Sequence, residues 1–439
     1  MKAKGSDISR RSFLKIASTA AAATVLARCT TAPQAETAPT EAPKPAAGPV
    51  KIRYAHMNCW DEVMCKGQRD LIAEFNAAHP KIQVEPVEWS WSNYLATLTA
   101  SVTAGEAPDV MNVGWGEVVS LGRPYFISID SYLDDDLKSN IRPASWMSCK
   151  LGDQTFGVPV FEQLNEVLYY REDVWEKAGI AKEPETWEEF VAVAHQLQEA
   201  GIDDAWGMQA QGAPIVTRFL ETQFQNGSEV FLQEGEKWKH TFDMPEAEEA
   251  ARFWYSLWRD KKVISQSNLE RSTSDLVPVF AEGKMGMLYD IVQAYFTLRQ
   301  QYPDMADKIR IAPAMRKKTG ATMGGAFSLS IFQQSKNKDA AWEFVKWACG
   351  ADVMNKYWIP TTKVLPTRTD VNYPDMPDHI LKRFQEYQAA QRVFPFVPEW
   401  EAVKGKVLTP ILGEMASDGG VSFESGWKTI KEQTDFVIS

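Results

Sequence analysis

Alternating apolar and polar residues over Lys51–Met57 form the first regular pattern of the chain and predict a half-buried strand. Helical spacing of apolar residues follows through Arg69–Phe75. The pair His79-Pro80 ends that helix, because a residue before proline disfavours helical backbone angles. The pattern then repeats with a strand over 82–85, a helix carrying Tyr94, Leu95, Leu98 and Val102, and a strand over 109–113. This succession predicts an α/β fold in which a parallel sheet has helices on its faces.

Later helices are marked by their first turns and apolar stripes. Thr186-Trp187-Glu188-Glu189 is a capping box, which predicts that a helix begins there. The apolar stripe behind the box consists of Trp187, Phe190, Val191, Ala194 and Leu197. A further amphipathic helix is predicted over 339–348. The tail beyond Asn372 is rich in Pro, Trp and Phe, and we expect irregular structure followed by two helices there.

The N-terminal segment has the composition of an export signal. Arg10 and Arg11 precede Phe13-Leu14 and a run of small apolar residues over 16–27, which is too short to span a bilayer. The arginine pair resembles the twin-arginine export signal. Residues 1–28 are therefore predicted to be a twin-arginine-like signal peptide.

Two forms of the mature N-terminus fit the residues that follow. Leu26-Ala27-Arg28-Cys29 resembles a lipoprotein box with an acylated cysteine, although Arg28 stands where that pattern has a small residue. Val25-Leu26-Ala27 could instead be an ordinary cleavage site that gives a freely secreted product. We favour lipidation at Cys29, because residues 29–49 form a Thr/Ala/Pro-rich tether that cannot bury a core and suits attachment to a membrane.

Composition and charge exclude several classes of protein. The chain has 439 residues, enough for two or three domains, and a formal net charge of −11. Residues 1–28 hold six basic groups and one acidic group, so the remainder carries 41 basic and 57 acidic residues, a net charge of −16. This acidic balance argues against a nucleic-acid partner and against docking on anionic lipid headgroups. Five cysteines are too few for a disulfide framework.

Motifs for catalysis, cofactors and metals are missing from the sequence. There is no G-x-S-x-G elbow, P-loop, H-E-x-x-H or C-x-x-C, and the five histidines have no metal-ligand spacing. Asp134-Asp135-Asp136 lacks the alternating ligands of a calcium loop and is better explained as a solvated acidic turn. We therefore expect no catalytic residue, no cofactor and no metal site, and hence a protein that is not an enzyme.

The cysteines leave two arrangements open. Cys59 and Cys65 are six residues apart, close enough for a small disulfide loop in an oxidising compartment. Cys149 and Cys349 could pair only through the fold, and buried free thiols are an equal alternative for these cysteines.

Tryptophan is the abundant residue with chemical meaning. The chain has 16 tryptophans, and Trp60, Trp89, Trp91 and Trp115 stand where a predicted strand gives way to a helix. Ligands of open α/β sheets bind at the carboxyl ends of strands, where an indole face can stack on a sugar ring. Any one of these tryptophans could equally be a packing residue. Their positions favour a carbohydrate site.

The order of short motifs resembles a known family, the family 1 extracellular solute-binding proteins of ABC importers, a maltose-binding-protein-like group of the carbohydrate-uptake type. The segments that carry the resemblance are A-G-E-A-P-D-V at 104–110, F-G-V-P at 156–159, L-Y-Y-R at 168–171, E-K-A-G-I at 176–180, P-E-T-W-E-E-F at 184–190, F-A-E-G-K-M-G-M at 280–287, Gly324-Gly325, S-K-N at 335–337, A-A-W-E-F at 340–344 and L-P-T-R at 365–368. They follow the family order across nearly the whole mature chain. Arg171 stands where the family usually has Asn.

The resemblance implies a two-lobed periplasmic-binding-protein-like fold of type II, with a ligand cleft between the lobes and crossover hinge strands. It places lobe 1 at 50–164 and 327–368 and lobe 2 at 165–326 and 369–439. It also implies an exported receptor, a cell-envelope lipoprotein or a periplasmic protein, that works as a monomer. Its partners would be a carbohydrate ligand and the transmembrane subunits of an ABC permease, with membrane contact only through the N-terminal lipid.

The resemblance also places the ligand site residue by residue. The implied contacts are Trp60, Asp61, Trp115, Glu117, Glu162, Gln163, Asn165, Tyr289, Asp290, Gly324, Gly325 and Ala326, to which Trp89, Trp91 and Asn93 are added as neighbours. The glycines would let the backbone approach the ligand closely. Glu162 and Asp290 could instead be hinge or cap residues.

Three alternatives to a sugar receptor stay open at this point. The same fold could bind a non-sugar ligand such as a polyamine, a metal ion or a phosphodiester. An exported glycan-processing enzyme would need two carboxylates about 5 to 10 Å apart across a cleft, and Asp61 with Glu117 is one such possible pair. An adhesin or scaffold, without a small-molecule cleft, ranks last.

Overall fold

Two mixed sheets dominate the β-structure of the chain, which was analysed as a computed structural model. The structure describes residues 48–439 except 60–61, 92, 211, 236, 372–375 and 396. In chain order the strands are β1 (Val50–His56), β2 (Ile82–Glu88), β3 (Val110–Val113), β4 (Lys150–Leu151), β5 (Gln154–Thr155), β6 (Val158–Leu164), β7 (Val167–Arg171), β8 (Asp204–Met208), β9 (Phe231–Glu234), β10 (Lys237–His240), β11 (Met285–Asp290), β12 (Ile309–Ile311), β13 (Thr322–Ile331), β14 (Leu365–Pro366) and β15 (Gln391–Arg392).

Helices cover the sheets and fill most of the connections. In chain order they are α1 (Glu62–Ala78), α2 (Tyr94–Thr103), α3 (Glu117–Tyr125), α4 (Asp135–Asn140), α5 (Pro143–Met147), α6 (Glu172–Lys177), α7 (Trp187–Glu199), α8 (Ala213–Gln225), α9 (Pro245–Arg259), α10 (Gln266–Glu270), α11 (Thr273–Ala281), α12 (Gln293–Gln301), α13 (Lys338–Ala348), α14 (Ala351–Val353), α15 (Ile359–Thr362), α16 (Asp378–Ala389), α17 (Trp400–Ala402), α18 (Thr409–Ala416) and α19 (Phe423–Ile438). A 3-10 helix spans Pro303–Lys308, and π-helical segments span Met354–Trp358 and Val403–Leu408. Within the described residues, no helix has both the length and the apolar character needed to cross a bilayer.

The large sheet has seven strands, in the order β14-β6-β13-β3-β1-β2, with β15 paired to β13. The parallel pairing predicted for the first three strands is confirmed, because β1 runs parallel to both β2 and β3. The other half differs from a purely parallel sheet: β13 pairs antiparallel with β3 and with β6, and β14 pairs antiparallel with β6. All ten residues of β13 are buried, as expected of a strand with neighbours on both sides.

The small sheet has four strands, in the order β12-β7-β11-β8. The chain enters it directly from the large sheet, because β7 begins at Val167, just after β6 ends at Leu164. It returns to the large sheet between β12 and β13. A backbone hydrogen bond of 2.9 Å from Val292 N–H to the Leu164 carbonyl joins the segment just after β11 to the end of β6. The two crossings therefore place residues of both sheets at one junction.

The predictions of the helix that begins at the 186–189 capping box and of the helix over 339–348 are confirmed. Thr186 accepts a hydrogen bond from Glu189 N–H at 3.2 Å, and the Glu189 carboxylate accepts one from Thr186 N–H at 3.0 Å, so the capping box starts α7. The predicted stripe of this helix is buried against the core at Trp187, Phe190, Val191, Ala194 and Leu197. The same holds for α13, whose apolar face packs on the large sheet.

Two sequence predictions are wrong in part. The tail beyond Asn372 was expected to begin irregularly and contain two helices, but α16 starts at Asp378, and α18 and α19 follow it. The acidic run 134–136 is largely solvent-exposed, as expected, but it begins a helix rather than forming a turn: Asp134 caps α4 by accepting from Leu137 N–H, and Asp136 pairs with the buried Arg368 at 2.9 Å. An N-terminal acidic run is favourable on a helix because its first turn carries partial positive charge.

Candidate functional site

Trp115 lies where β3 ends and α3 begins, and its ring is stacked on the ring of Phe394. The ring centroids are 4.2 Å apart, and the planes are inclined by 10°. Two glycines make room for this stack. A Cβ on Gly325 would lie 2.5 Å from the Trp115 Cβ, and a Cβ on Gly116 would lie 2.7 Å from Cδ2 of Phe394. The sequence thus brings an indole and a phenyl ring face to face at the carboxyl end of a central strand.

Glu117, in the first turn of α3, supplies a polar neighbour to this aromatic pair. Its carboxyl group accepts a hydrogen bond from the Tyr94 hydroxyl of α2. Burial raises the pKa of the Glu117 carboxyl, while the hydrogen bond from Tyr94 and the charge of Lys404 oppose that rise. Lys404 itself pairs with Glu401 at 2.8 Å and lies 5.1 Å above the Phe394 ring. Phe394, before α17, and Lys404, after it, therefore bring an aromatic and a charged group to the start of α3.

The other predicted residues of this region are packing or backbone residues. The Trp91 ring lies edge-on to Tyr94 and Phe327, at 5.3 and 5.8 Å between centroids. Trp89 donates its backbone N–H to the His56 carbonyl at 2.9 Å, and Asn93 is exposed at the start of α2 without a side-chain cap. Trp60 and Asp61 lie outside the described residues.

Glu162 is fully buried in β6 and is surrounded by hydrogen-bond donors. Its carboxyl group accepts from the Ser145 hydroxyl and from the amides of Gln388 and Gln391, the last at 3.1 Å. Burial raises the pKa of this carboxyl, and the donors and Arg142 counter that rise. These contacts tie β6 to α5, α16 and β15, so Glu162 occupies a structural position at the sheet junction.

The remaining predicted residues of the crossing strands contribute mainly backbone. Gln163 pairs with Gly325 across the β6–β13 ladder, and the carbonyl of Gln163 would lie 2.7 Å from a Cβ on Gly324. Asn165 donates its N–H to the Met323 carbonyl at 2.9 Å. Ala326 donates its N–H to the Ser148 hydroxyl at 2.9 Å. Close packing explains the two glycines: a Cβ on Gly324 would meet the Gln163 carbonyl, and a Cβ on Gly325 would meet Trp115.

Tyr289 and Asp290 end β11 beside a buried charged group. The Tyr289 hydroxyl donates to Glu221, and Asp290 accepts from the Ile291 N–H at 2.7 Å. Arg218 Nε lies 3.4 Å from Glu166 Oε2, and burial raises the pKa of the Glu166 carboxyl to about 7. Sequence analysis missed Glu166, Arg218 and Glu221. They lie outside the segments that resemble the family, and nothing in their spacing signals a cluster.

A cavity of about 440 Å³ opens on the side of Phe394. It is lined by Met147, Lys150, Leu151, Gly152, Phe224, Glu229, Phe231, Trp238, Arg392, Val393, Phe394 and Pro395. Arg392 pairs with Glu229 and covers the Phe224 ring, with the guanidinium carbon 4.7 Å from the ring centroid. None of the site residues predicted from the sequence lines this cavity. The cavity combines aromatic faces with a few charged groups.

Cys59 and Cys65 form a disulfide, which confirms the pairing that their spacing allowed. Cys149 and Cys349 are buried free thiols. The ligand atoms of His56, Cys59 and Glu88 lie within 4.8 Å of one another. The Cys59 sulfur is bonded to Cys65, however, and Arg69 holds the Glu88 carboxylate at 2.9 Å. The Cys59 sulfur and the Glu88 carboxylate are therefore already engaged within the protein.

Comparison with known proteins gives one family. The model of the bacterial extracellular solute-binding proteins matches residues 68–355. A putative binding protein of Brucella abortus is 25% identical over 339 residues, which cover 75% of this chain and 80% of that protein. A Streptomyces antibioticus lipoprotein is 27% identical over 312 residues, covering 69% and 67%. The diacetylchitobiose binding protein DasA of Streptomyces coelicolor is 22% identical over 345 residues, covering 77% and 78%.

Solved structures match the fold over most of the chain. Maltose-bound MalE3 of T. maritima superposes with a TM-score of 0.73 at 23% identity, covering 88% of this chain and all of that chain. The sugar-binding protein MalE of Xanthomonas citri superposes with a TM-score of 0.74 at 19% identity, covering 89% and 97%. At these identities the matches show the architecture and leave the ligand to be inferred from the site.

Proposed function

Because this chain belongs to the bacterial extracellular solute-binding proteins, we propose that it binds a carbohydrate, a mono- or oligosaccharide, in the cleft at Trp115 and the neighbouring cavity. It would then deliver the sugar to the membrane subunits of an ABC permease. The family assignment makes the chain a binding protein rather than an enzyme, which argues against the glycan-processing alternative.

The single observation that carries the sugar proposal is the aromatic lining of the cavity beside Phe394. Phe231 and Trp238 line it and offer flat apolar faces of the kind that pack against sugar rings, and Trp115, behind Phe394, would offer a third. Glu229 and Arg392 offer charged groups that hydrogen-bond to hydroxyls. A volume of about 440 Å³ falls within the usual range of small-molecule sites. The named ligands of DasA and of the T. maritima protein, a chitobiose derivative and maltose, support the same class.

The proposed lobes follow the two sheets. Lobe 1 would comprise 50–164 and 327–368, around the large sheet, and lobe 2 would comprise 165–326 and 369–439, around the small one. The crossings between β6 and β7 and between β12 and β13 would act as the hinge. Glu162 is proposed as a hinge residue rather than a ligand contact, because its carboxyl group is enclosed by protein donors.

The remaining predicted contacts are proposed in two groups. Trp115 and Glu117 would form the lobe 1 wall of the site, with Gly325 of β13 packed against Trp115. Trp60 and Asp61 would be further ligand contacts. Tyr289 and Asp290 would support lobe 2 beside the buried group formed by Glu166, Arg218 and Glu221. Arg218 donates a hydrogen bond to the Tyr289 carbonyl.

Export and anchoring are proposed as well. A twin-arginine-like signal over residues 1–28 would direct export, and acylation of Cys29 would fix the tether to the outer face of the membrane. The lipoprotein relative from Streptomyces antibioticus supports the anchor. Cys29→Ser should release the protein from the membrane fraction into the soluble fraction. Equal membrane content in both forms would rule out the anchor.

Direct titration tests the sugar proposal. Isothermal titration calorimetry of the chain with maltose, with N,N′-diacetylchitobiose and with longer oligosaccharides of both types should give saturable binding to at least one of these sugars. Chromatography of the recovered ligand should show it unchanged. Binding with cleavage of a glycosidic bond would contradict a receptor.

A further inference from the structure

The Phe394 ring occupies the face of Trp115 on which a sugar would stack. Resting on the proposed function, we propose that Phe394 is an internal occupant of the Trp115 face and that the ligand's sugar ring has to replace it. The protein would thus carry its own competitor for the site.

The geometry of the stack supports this exchange. The two rings are nearly parallel, at 10°, with centroids 4.2 Å apart, the arrangement in which a flat apolar face covers an indole. Trp115 is only 5% exposed. A ligand therefore reaches the indole only if one of its neighbours moves away.

Phe394 is the neighbour whose movement costs least. Gly325, which packs against the Cβ and Cγ of Trp115, lies in β13, whose ten residues are all buried in the large sheet. Phe394 instead belongs to the irregular stretch between β15 and α17, and its ring is half-buried. Moving a residue of such a connection disrupts fewer contacts than moving a central strand.

The structure also provides a place for the displaced ring. The cavity of about 440 Å³ begins directly beside Phe394, with residues 393–395 forming part of its wall. A short movement of this stretch would turn the phenyl ring toward the cavity and uncover the indole. Lys404, 5.1 Å above the ring, and Trp400, with its centroid 5.3 Å away, contact the ring as well, so the movement would change these contacts too.

Competition of this kind lowers the apparent affinity, because only the fraction of molecules with a free Trp115 binds the ligand. Removing the competing ring should therefore tighten binding. An aromatic stack of ordinary strength corresponds to a roughly three- to tenfold change in the dissociation constant.

The first test compares variants by calorimetry, using the sugar that binds the wild-type chain. Phe394→Ala should bind three to ten times more tightly, Phe394→Leu should bind more tightly to a smaller extent, and Trp115→Ala should bind weakly. Phe436→Ala, which alters an exposed ring of α19, is the matched control and should bind as wild type does. If Phe394→Ala instead weakens binding as Trp115→Ala does, Phe394 is a wall of the site and the exchange is refuted.

A disulfide tests whether the ring or the stretch that carries it is the competitor. A Cβ on Gly116 would lie 3.6 Å from the Phe394 Cβ, within the range spanned by a disulfide. The double variant Gly116→Cys/Phe394→Cys lacks the phenyl ring and, when oxidised, holds the stretch in place, so it should still bind sugar more tightly than wild type. Wild type with and without dithiothreitol controls for reduction of Cys59–Cys65. Weaker binding by the oxidised double variant than by wild type, restored by dithiothreitol, would show that the stretch and not the ring covers the indole, and would overturn the exchange.

These outcomes separate the two proposals. Sugar binding by wild type that Phe394→Ala does not tighten would refute the exchange and leave the sugar receptor standing. Absence of sugar binding by wild type, by Phe394→Ala and by the reduced double variant would refute the sugar assignment, and the exchange with it.

Discussion

Gly325 lies directly against Trp115, so that a Cβ at position 325 would come within 2.5 Å of the Trp115 Cβ. This contact joins the central strand β13 to the second residue after β3. It explains why the indole is held at the carboxyl end of β3, where Phe394 covers it.

Gly325→Ala should therefore displace Trp115. We expect a loss of about 1 to 3 kcal/mol in the free energy of unfolding, because overpacking a buried strand forces its neighbours to shift, and weaker sugar binding. Urea denaturation and calorimetry measure the two effects. Gly413→Ala in α18, where an added Cβ meets nothing within 4 Å, is the control. Identical behaviour of the two variants would contradict the role of the contact.

Trp115→Ala should weaken sugar binding by about 2 kcal/mol, or roughly thirtyfold, since truncating a central aromatic contact commonly has this effect. Trp347→Ala is the comparison. Trp347 packs edge-on against Phe75, 5.3 Å between centroids, and does not line the cavity beside Phe394. Calorimetry should show unchanged affinity for that variant. Equal losses in both would mean that the Trp115 effect reflects general destabilisation.

Replacing Glu162 separates a hinge residue from a ligand contact. Glu162→Ala leaves the donors on Ser145, Gln388 and Gln391 buried without an acceptor, which should cost at least about 2 kcal/mol of unfolding free energy. Glu162→Gln keeps the shape and one acceptor oxygen, so it should cost less and leave sugar affinity unchanged. A large loss of affinity in the folded Gln variant would instead identify Glu162 as a ligand contact.

His56 should make the protein sensitive to mild acid. Burial lowers the pKa of the imidazole to about 4, with Arg69 also lowering it and Glu88 opposing. A folded-state pKa below the unfolded value of about 6.5 gives a contribution to stability that is fully present above pH 6.5 and is lost as the pH falls toward 4. Between these limits the free energy of unfolding should fall by roughly 2 to 3 kcal/mol on account of His56.

Denaturant titrations at a series of pH values test this prediction. His56→Gln should show a shallower loss of stability between pH 6.5 and 4.5 than wild type. His195→Gln, which alters an exposed position on α7, should keep the wild-type slope. Parallel curves for wild type and His56→Gln would show that the imidazole does not control acid stability.

Local patterns predicted the parts of the fold that depend on neighbouring residues. The β1–α1–β2–α2–β3 succession followed from periodicity, and α7 followed from its capping box. The antiparallel pairing of β13 with β6 and β3 had no local signal, because it joins strands far apart in the chain. The family resemblance, not periodicity, pointed to two crossing connections.

The site was only partly predictable for the same reason. Trp115 was identified from its position after a strand, but its partner Phe394 lies in a stretch without a motif, and only the fold brings the two together. The number of tryptophans was an imprecise guide, since Trp187, Trp206, Trp254, Trp358 and Trp400 are core residues. The disulfide at Cys59 and Cys65 was predictable because the two cysteines close a short loop.

A thermal-shift screen of the chain is the most direct test of whether the ligand is a sugar that binds at Trp115. Mono- and oligosaccharides, polyamines and phosphodiesters would be compared at equal concentration. A ligand present at 100 times its dissociation constant adds about 2.7 kcal/mol to the folded state, a shift of a few degrees for a protein of this size. We expect a sugar to raise the melting temperature of the wild-type chain and to have no such effect on Trp115→Ala. Stabilisation by a polyamine or a phosphodiester, with no response to any sugar, would contradict it.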